Sequence, residues 1–447
     1  MIKSLKLVNV GPMPNLDLEL GNRLNILTGD NGLGKSFLLD IMWWSLTRSW
    51  PQNINPKIQN GYVAKPIDLK NPAEIRFSLL GKTQREKSYE ATYSPRDEIW
   101  VGKAGRPINP GLVIYSMSDG SFALWDPARN YWRNIWESNH DSGMNDKSRP
   151  AAYVYSQLEI WEGAAGENGK ERFSGLLYDW ALWQSGNSEY FLQLQSVLKS
   201  LSTREEPLVL GKLRRFSLDD DRLYPTIKTT YGQEVLLPHA SSGIKRIVAL
   251  AYFLVHAWKK HCENAELIGE TPTNQITFLI DEVEAHLHPK WQRQIIPAIL
   301  KVMTDLSKNA TTQLVTATHS PLIMASLEPL FKKAQDLWID FDLLEGKIEV
   351  RQEPFTKLGS VNNWLESEAF NLQSSYALEY EQLIDEAREL ISSRRNMRPT
   401  NEQIENMREK LANALEPTDP FLFYWRSICE KKGYLKRVED IYSSRTN

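Results

Sequence analysis

Cysteine is almost absent: Cys262 and Cys429 are the only two in 447 residues. Two thiols so far apart exclude a disulfide framework and a cysteine-built zinc cluster, and they suit a reducing cytosol. Long apolar runs are absent too. No segment approaches the roughly 20 residues that span a bilayer, and the opening Met1-Ile-Lys-Ser-Leu-Lys6 reads as a strand rather than a secretory leader. The expectation is a soluble, cytoplasmic chain with no membrane partner. An excess of one charge is missing as well, since the formal net charge is only −3. That excludes a protein coated in basic residues but leaves room for a local basic groove. Sustained heptads are missing between Ser36 and Ser241, which excludes long coiled-coil arms. What is present is 41% hydrophobic and 24% charged, an ordinary globular balance with length for about two or three domains.

The most informative stretch is Gly29-Asp-Asn-Gly-Leu-Gly-Lys-Ser36. It follows a short apolar run, Arg23-Leu-Asn-Ile-Leu-Thr28, and leads into Phe37-Leu-Leu-Asp-Ile-Met-Trp-Trp44, which reads as a buried helix. Strand, glycine-rich loop ending in Lys-Ser, then helix is the context a phosphate-binding loop requires. Glycines let several backbone N–H groups turn toward one anion, and the helix N-terminus adds its dipole there. A tight turn in an ordinary βα unit would need neither the lysine nor the hydroxyl. The loop is expected to bind a nucleoside triphosphate through Asn31, Gly32, Leu33, Gly34, Lys35, Ser36 and Phe37. Lys35 is expected at the β- and γ-phosphates, and the Ser36 hydroxyl on Mg²⁺.

A second apolar strand, Gln275-Ile-Thr-Phe-Leu-Ile-Asp-Glu282, ends in two carboxylates. P-loop ATPases require such a strand: Asp281 is expected to hold Mg²⁺ through water, and Glu282 to polarise the attacking water. The next strand, Thr311–Thr318, delivers His319, a candidate sensor of the γ-phosphate. His286 and His288 are two apart with no third ligand in sight, so no zinc site is assigned. Asp219-Asp220-Asp221 reads as a hairpin turn, not a metal cluster. Asp340 and Asp342 fall in a hairpin around Glu345-Gly346-Lys347, and the remaining chain is too short and too helical for a TOPRIM nuclease.

Residues 1–120 read as mostly strands around the phosphate loop, with 51–72 a Pro-, Asn- and Gly-rich loop. Residues 121–205 are expected to be a largely helical insert. Its Trp125, Trp132, Trp136, Trp161, Trp180 and Trp183 offer either an aromatic platform for bases or partners, or a small core of their own. Residues 206–355 return to strands and helices, and Ser241 and Ser242 are good N-cap residues for a helix running through His256. Residues 356–447 read as a helical C-terminal module with a basic end (Lys431, Lys432, Lys436, Arg437). They form either an interaction module or a cap on the rest. Leu378, Leu383, Ile384, Ala387, Leu390 and Ile391 mark one amphipathic face, and Thr400 with Gln403 makes a capping box.

In this order, the phosphate loop, the Ser-Ser-Gly-x-x-Arg helix start, the Asp-Glu strand and the strand-end His resemble the ABC-type ATPases of the SMC, RecF and OLD group. The wording Ile-Asp-Glu-x-Glu-x-His-Leu-His-Pro is similar to the RecF and OLD branch, and the likeness covers roughly residues 1–350. It implies an α/β ABC-type P-loop ATPase head: a mixed β-sheet plus an antiparallel β-lobe, with helices on both faces. It implies ATP and Mg²⁺, with Ser241, Ser242 and Gly243 of one subunit closing over the nucleotide held by Lys35 of another. Self-association with ATP sandwiched between chains follows. The layout resembles ATPase subunits of bacterial anti-phage systems of the Septu type, which implies control of a partner nuclease of HNH or TOPRIM type. A RecF-like, ATP-gated clamp on DNA is the alternative. Two departures stand out. The signature reads Ser241-Ser242-Gly243-Ile244-Lys245, unlike a transporter's, and no Q-loop glutamine follows the strand ending at Tyr115.

Overall fold

The computed structural model describes residues 1–102, 107–131, 150–165, 171–230, 232–307, 309–367, 369–370, 372, 376–392 and 399–434. The chain divides into two compact units, Met1–Phe370 and Asn371–Asn447. The first is built on an eight-stranded mixed sheet. Its central strands, in spatial order Asp336–Leu344, Leu24–Gly29, Thr311–Ala317, Gln275–Asp281 and Leu112–Ser116, all run parallel. The flanking strands Lys347–Glu353, Phe122–Trp125 and Tyr153–Tyr155 are antiparallel. The strand residues Gln275–Asp281 are all buried, the continuous apolar run that a sheet covered on both faces demands.

Alternation of side chains along these strands feeds two cores. Leu112, Ile114 and Phe278 face one, with the long helix Ser242–Leu267 and the helix Pro289–Leu306. Val113, Tyr115 and Leu279 face the other, with the helix Lys35–Thr47 and a five-stranded antiparallel lobe. That lobe runs Met13–Glu19, Ile2–Val10, Glu74–Leu80, Glu86–Ser94, Ile99–Gly102. Gln313, buried on a central strand, fastens the lobe to the sheet. Its amide donates to the carbonyls of Ile2 and Gly21, both at 2.8 Å, and accepts from Ile2 N–H at 3.0 Å. The mixed sheet, the antiparallel lobe and the helices on both faces are those that the resemblance to ABC-type ATPases implies.

The tryptophan-rich stretch differs from expectation. It opens with strands of the main sheet, Phe122–Trp125 and Tyr153–Tyr155, before its helices Leu176–Ser185 and Glu189–Leu201. Trp180 and Trp183 sit in the same core as Leu112 and Phe278, and Trp125 in the opposite one. These rings extend the sheet's own cores, so they form neither a separate core nor a platform open to bases. Trp161 is half-buried against the same core, and Trp132 and Trp136 lie outside the described residues. The acidic triplet at 219–221 does sit in a hairpin, between Arg214–Arg215 and Leu223–Tyr224.

Further along the first unit, Trp364 of the short helix Val361–Leu365 packs against Trp338 and Phe355. The second unit holds the helices Leu378–Ser392, Asn401–Ala414 and Pro420–Lys431. Ile384, Ala387 and Ile391 meet Ile404, Leu411 and Trp425 in its core. The Thr400–Gln403 capping box forms in both directions, at 3.2 and 2.8 Å. Lys436 and Arg437 of the basic end lie outside the described residues. Among the described residues no helix is long and apolar enough to cross a membrane.

Candidate functional site

In open parallel sheets, ligands collect at the carboxyl ends of the strands. Three adjacent strands here end in the residues singled out by sequence: the phosphate loop after Leu24–Gly29, His319 after Thr311–Ala317, and Asp281-Glu282 at the end of Gln275–Asp281; the next strand, Leu112–Ser116, adds Ser118. Gly29 and Gly34 show why the loop needs glycine. Gly29 has φ 120°, and a Cβ there would lie 2.1 Å from the Phe341 carbonyl oxygen. Gly34 caps the helix Lys35–Thr47 with φ 93° against Pro12 of the lobe. Asn31 and Gly32 at the tip are exposed, Leu33 is buried, and the Phe37 ring lies against Gly11 of the lobe turn.

Lys35 is 5% exposed, and its ammonium donates to the carbonyls of Gly29 (2.8 Å) and Asp30 (2.7 Å). Burial pushes its pKa down to about 8, against the opposing pull of Asp281, Glu282 and Asp30. Asp281 is 1% exposed, and its carboxylate makes no close hydrogen bond; the Ser36 and Ser118 hydroxyls are the donors that face it. Burial, reinforced by the Glu282 charge, pushes it up to about 6, while the nearby Ser36 and Ser118 hydroxyls and Arg246 pull the other way. An enclosed carboxylate without a close hydrogen bond is costly unless something else meets it. The two oxygens of Asp281 beside the Ser36 hydroxyl are a donor set that suits a hard divalent cation.

Glu282 begins the turn after the strand in left-handed backbone, φ 47°, with its side chain 40% exposed. Its carboxylate lies 3.9 Å from His319 Nε2. Burial and the neighbouring Lys35 charge lower the His319 pKa, so its ring is biased toward the neutral form. Ser241 caps the helix Ser242–Leu267 by accepting from Ile244 N–H at 3.4 Å, and Ser241 and Ser242 are exposed. With Gly243, His286 and His288 they line a cavity of about 740 Å³. Gly243 is tight: a Cβ would lie 2.8 Å from the His286 carbonyl oxygen.

Sequence alone assigns no role to Arg246, Ser118 or Glu284. One turn into the capped helix, Arg246 donates to the carbonyls of Ser118 (3.0 Å), Met117 (3.2 Å), Asp281 (3.3 Å) and Glu282 (3.4 Å). It thereby pins two strand exits to that helix. Glu284 accepts from Thr318 and His319. Beneath the site, buried Asp40 accepts from the Tyr115 hydroxyl at 2.9 Å, and burial pushes its pKa up to about 8. Between its usual value near 3.8 and about 8, the native state keeps a proton that the unfolded chain has lost. Asp40 thus favours the fold at low pH, and that contribution is lost as pH rises through this window, up to a ceiling of roughly 5 kcal/mol. Asp40→Asn, which keeps the acceptor, is expected to melt above the wild type by a margin that widens from pH 5 to pH 8. Thermal melts with a pH-independent margin would contradict this.

This arrangement is that of a P-loop nucleotide-binding domain. The chain belongs to the family described as "AAA domain, putative AbiEii toxin, Type IV TA system", whose model matches residues 24–325. It is similar to the Septu protein PtuA of Bacillus thuringiensis, 23% identical over 368 residues and 80% of each chain. A retron Ec83 "probable ATPase" of Escherichia coli is 26% identical over 490 aligned positions, covering 93% of this chain and 84% of that protein. These relatives bear out the resemblance to Septu ATPase subunits. Among solved structures, an SMC head bound to the C-winged helix domain of ScpA matches with TM-score 0.43 and 14% identity, over 80% of this chain and 98% of that one.

Proposed function

We propose that this chain is the ATP-binding and hydrolysing subunit of an anti-phage defence complex, assembling through ATP and controlling a partner nuclease. The observation that carries the ATPase reading is the enclosed carboxylate of Asp281, which makes no close hydrogen bond and faces Lys35 and the Ser36 hydroxyl. In this reading the loop amides of Asn31 to Phe37 and the Lys35 ammonium bind the phosphates. Ser36 and Asp281 would hold Mg²⁺, which supplies positive charge against the β- and γ-phosphates. Glu282 takes the proton of the attacking water, and His319 stands beside it as a donor toward the γ-phosphate. The relatives' names, Septu and retron ATPase, support the defence setting.

Exposure of Ser241 and Ser242 at a helix N-terminus supports ATP shared between two chains. There the helix dipole and hydroxyls of one copy meet the γ-phosphate held by the other. Those bonds exist only while the γ-phosphate does, so hydrolysis loosens the pair. No nuclease chemistry is assigned to this chain, and DNA cutting is left to the partner. The test is sedimentation of the Glu282→Gln protein, followed by tagged recovery from its native host. With Mg-ATP it is expected to shift to a dimer or larger assembly, and a stoichiometric nuclease is expected to copurify. A monomer at all ATP concentrations would sink the shared site, and recovery of recombination proteins with DNA would favour the RecF-like clamp.

A further inference from the structure

The acidic strand and its neighbour pair in parallel register as far as Asp281 opposite Ala317. The last backbone bond between them runs from Glu282 N–H to the Ala317 carbonyl, at 3.2 Å. The two side chains whose separation matters, Glu282 and His319, emerge after that point. Parallel neighbours share no hairpin turn that could hold their exits together. A side chain of the turn itself spans the gap. Glu284 Oε1 accepts from the Thr318 hydroxyl at 2.8 Å and from the His319 backbone N–H at 2.5 Å. It ties the turn that carries Glu282 to the loop that carries His319.

The tie has something to hold. Glu282 and His286 both adopt left-handed backbone, φ 47° and 64°. Residues other than glycine keep that conformation only where their surroundings over-determine it.

We infer that Glu284 is a positioning residue that locks Glu282 and His319 into one constellation. The inference rests on the proposed ATP site. Accepting two hydrogen bonds is all the role asks, so an amide of the same shape suffices and an alanine does not. The test compares ATP binding and steady-state phosphate release in wild type, Glu284→Gln and Glu284→Ala. Glu284→Ala is expected to lower kcat at least about tenfold, because small displacements of reacting groups are costly. Its ATP affinity and KM should stay within about twofold, the mark of an interaction that serves turnover and not binding. Glu284→Gln is expected to restore turnover to within about threefold of wild type by the same criterion. Wild-type turnover in Glu284→Ala would overturn the inference. So would a Glu284→Gln protein with turnover more than tenfold down, even if the alanine variant failed to fold, since the charge itself would then be in the chemistry. Failure of the underlying ATP site reads differently: wild type itself would bind no ATP and release no phosphate.

Discussion

Glu282→Gln is expected to bind ATP as wild type does while hydrolysing it roughly 10²–10⁴-fold more slowly, the range that a positioned general base contributes. The expectation comes from geometry. The side chain leaves the carboxyl end of the acidic strand half-exposed, where water can reach it, and stands 3.9 Å from His319. Asp281, one residue earlier, is enclosed and cannot serve water in the same way. An amide keeps the shape and the backbone turn at φ 47° but cannot take a proton. Binding should survive because the phosphate contacts come from the loop and Lys35. Phosphate release under saturating Mg-ATP, paired with an equilibrium binding curve, separates the two. Wild-type turnover in this variant would remove Glu282 from its catalytic role.

The phosphate loop and the acidic strand were legible because their parts are contiguous. Strand, glycines, Lys35 and Ser36 fall within one short stretch, and apolar residues running into two acids mark a buried strand with a functional exit. The hairpin at Glu345-Gly346 and the capping box at Thr400 were legible for the same reason: the bonds that define them close over a few residues. Arg246 could not be read that way. Its acceptors Ser118 and Met117 lie 128 and 129 residues earlier, and no periodicity encodes that meeting. Glu284 was in plain sight, two residues after Glu282, but its direction depends on the left-handed turn that bends the chain toward the next strand. The tryptophans misled for a related reason. Their density suggests a self-contained insert, yet Trp183 stacks on Tyr252 of the long helix and Trp180 joins the core beneath the sheet. Which core a large apolar ring enters is a property of topology, and Phe122–Trp125 is too short to announce itself as a strand of the main sheet.

Lys35→Ala is expected to lose roughly two to three orders of magnitude in ATP affinity. Without nucleotide the ammonium is held by two backbone carbonyls and enclosed, and burial already draws its pKa down to about 8. Phosphate oxygens are better partners, since a charge-assisted hydrogen bond contributes about 1.5–3 kcal/mol. Exchanging carbonyls for phosphates leaves a net gain on the order of 3–4 kcal/mol, or about 10²–10³ in the dissociation constant. Alanine also removes a positive charge that offsets Asp281 and Glu282 near the bound phosphates. Stability should move the other way. Deleting a buried amine whose charged form is disfavoured relieves desolvation, so the melting temperature without nucleotide should hold or rise. Calorimetric titration with ATP and a thermal melt on the same preparation read both quantities. Lost affinity with an unchanged or higher melting temperature assigns Lys35 to the nucleotide, and unchanged affinity would refute the phosphate loop.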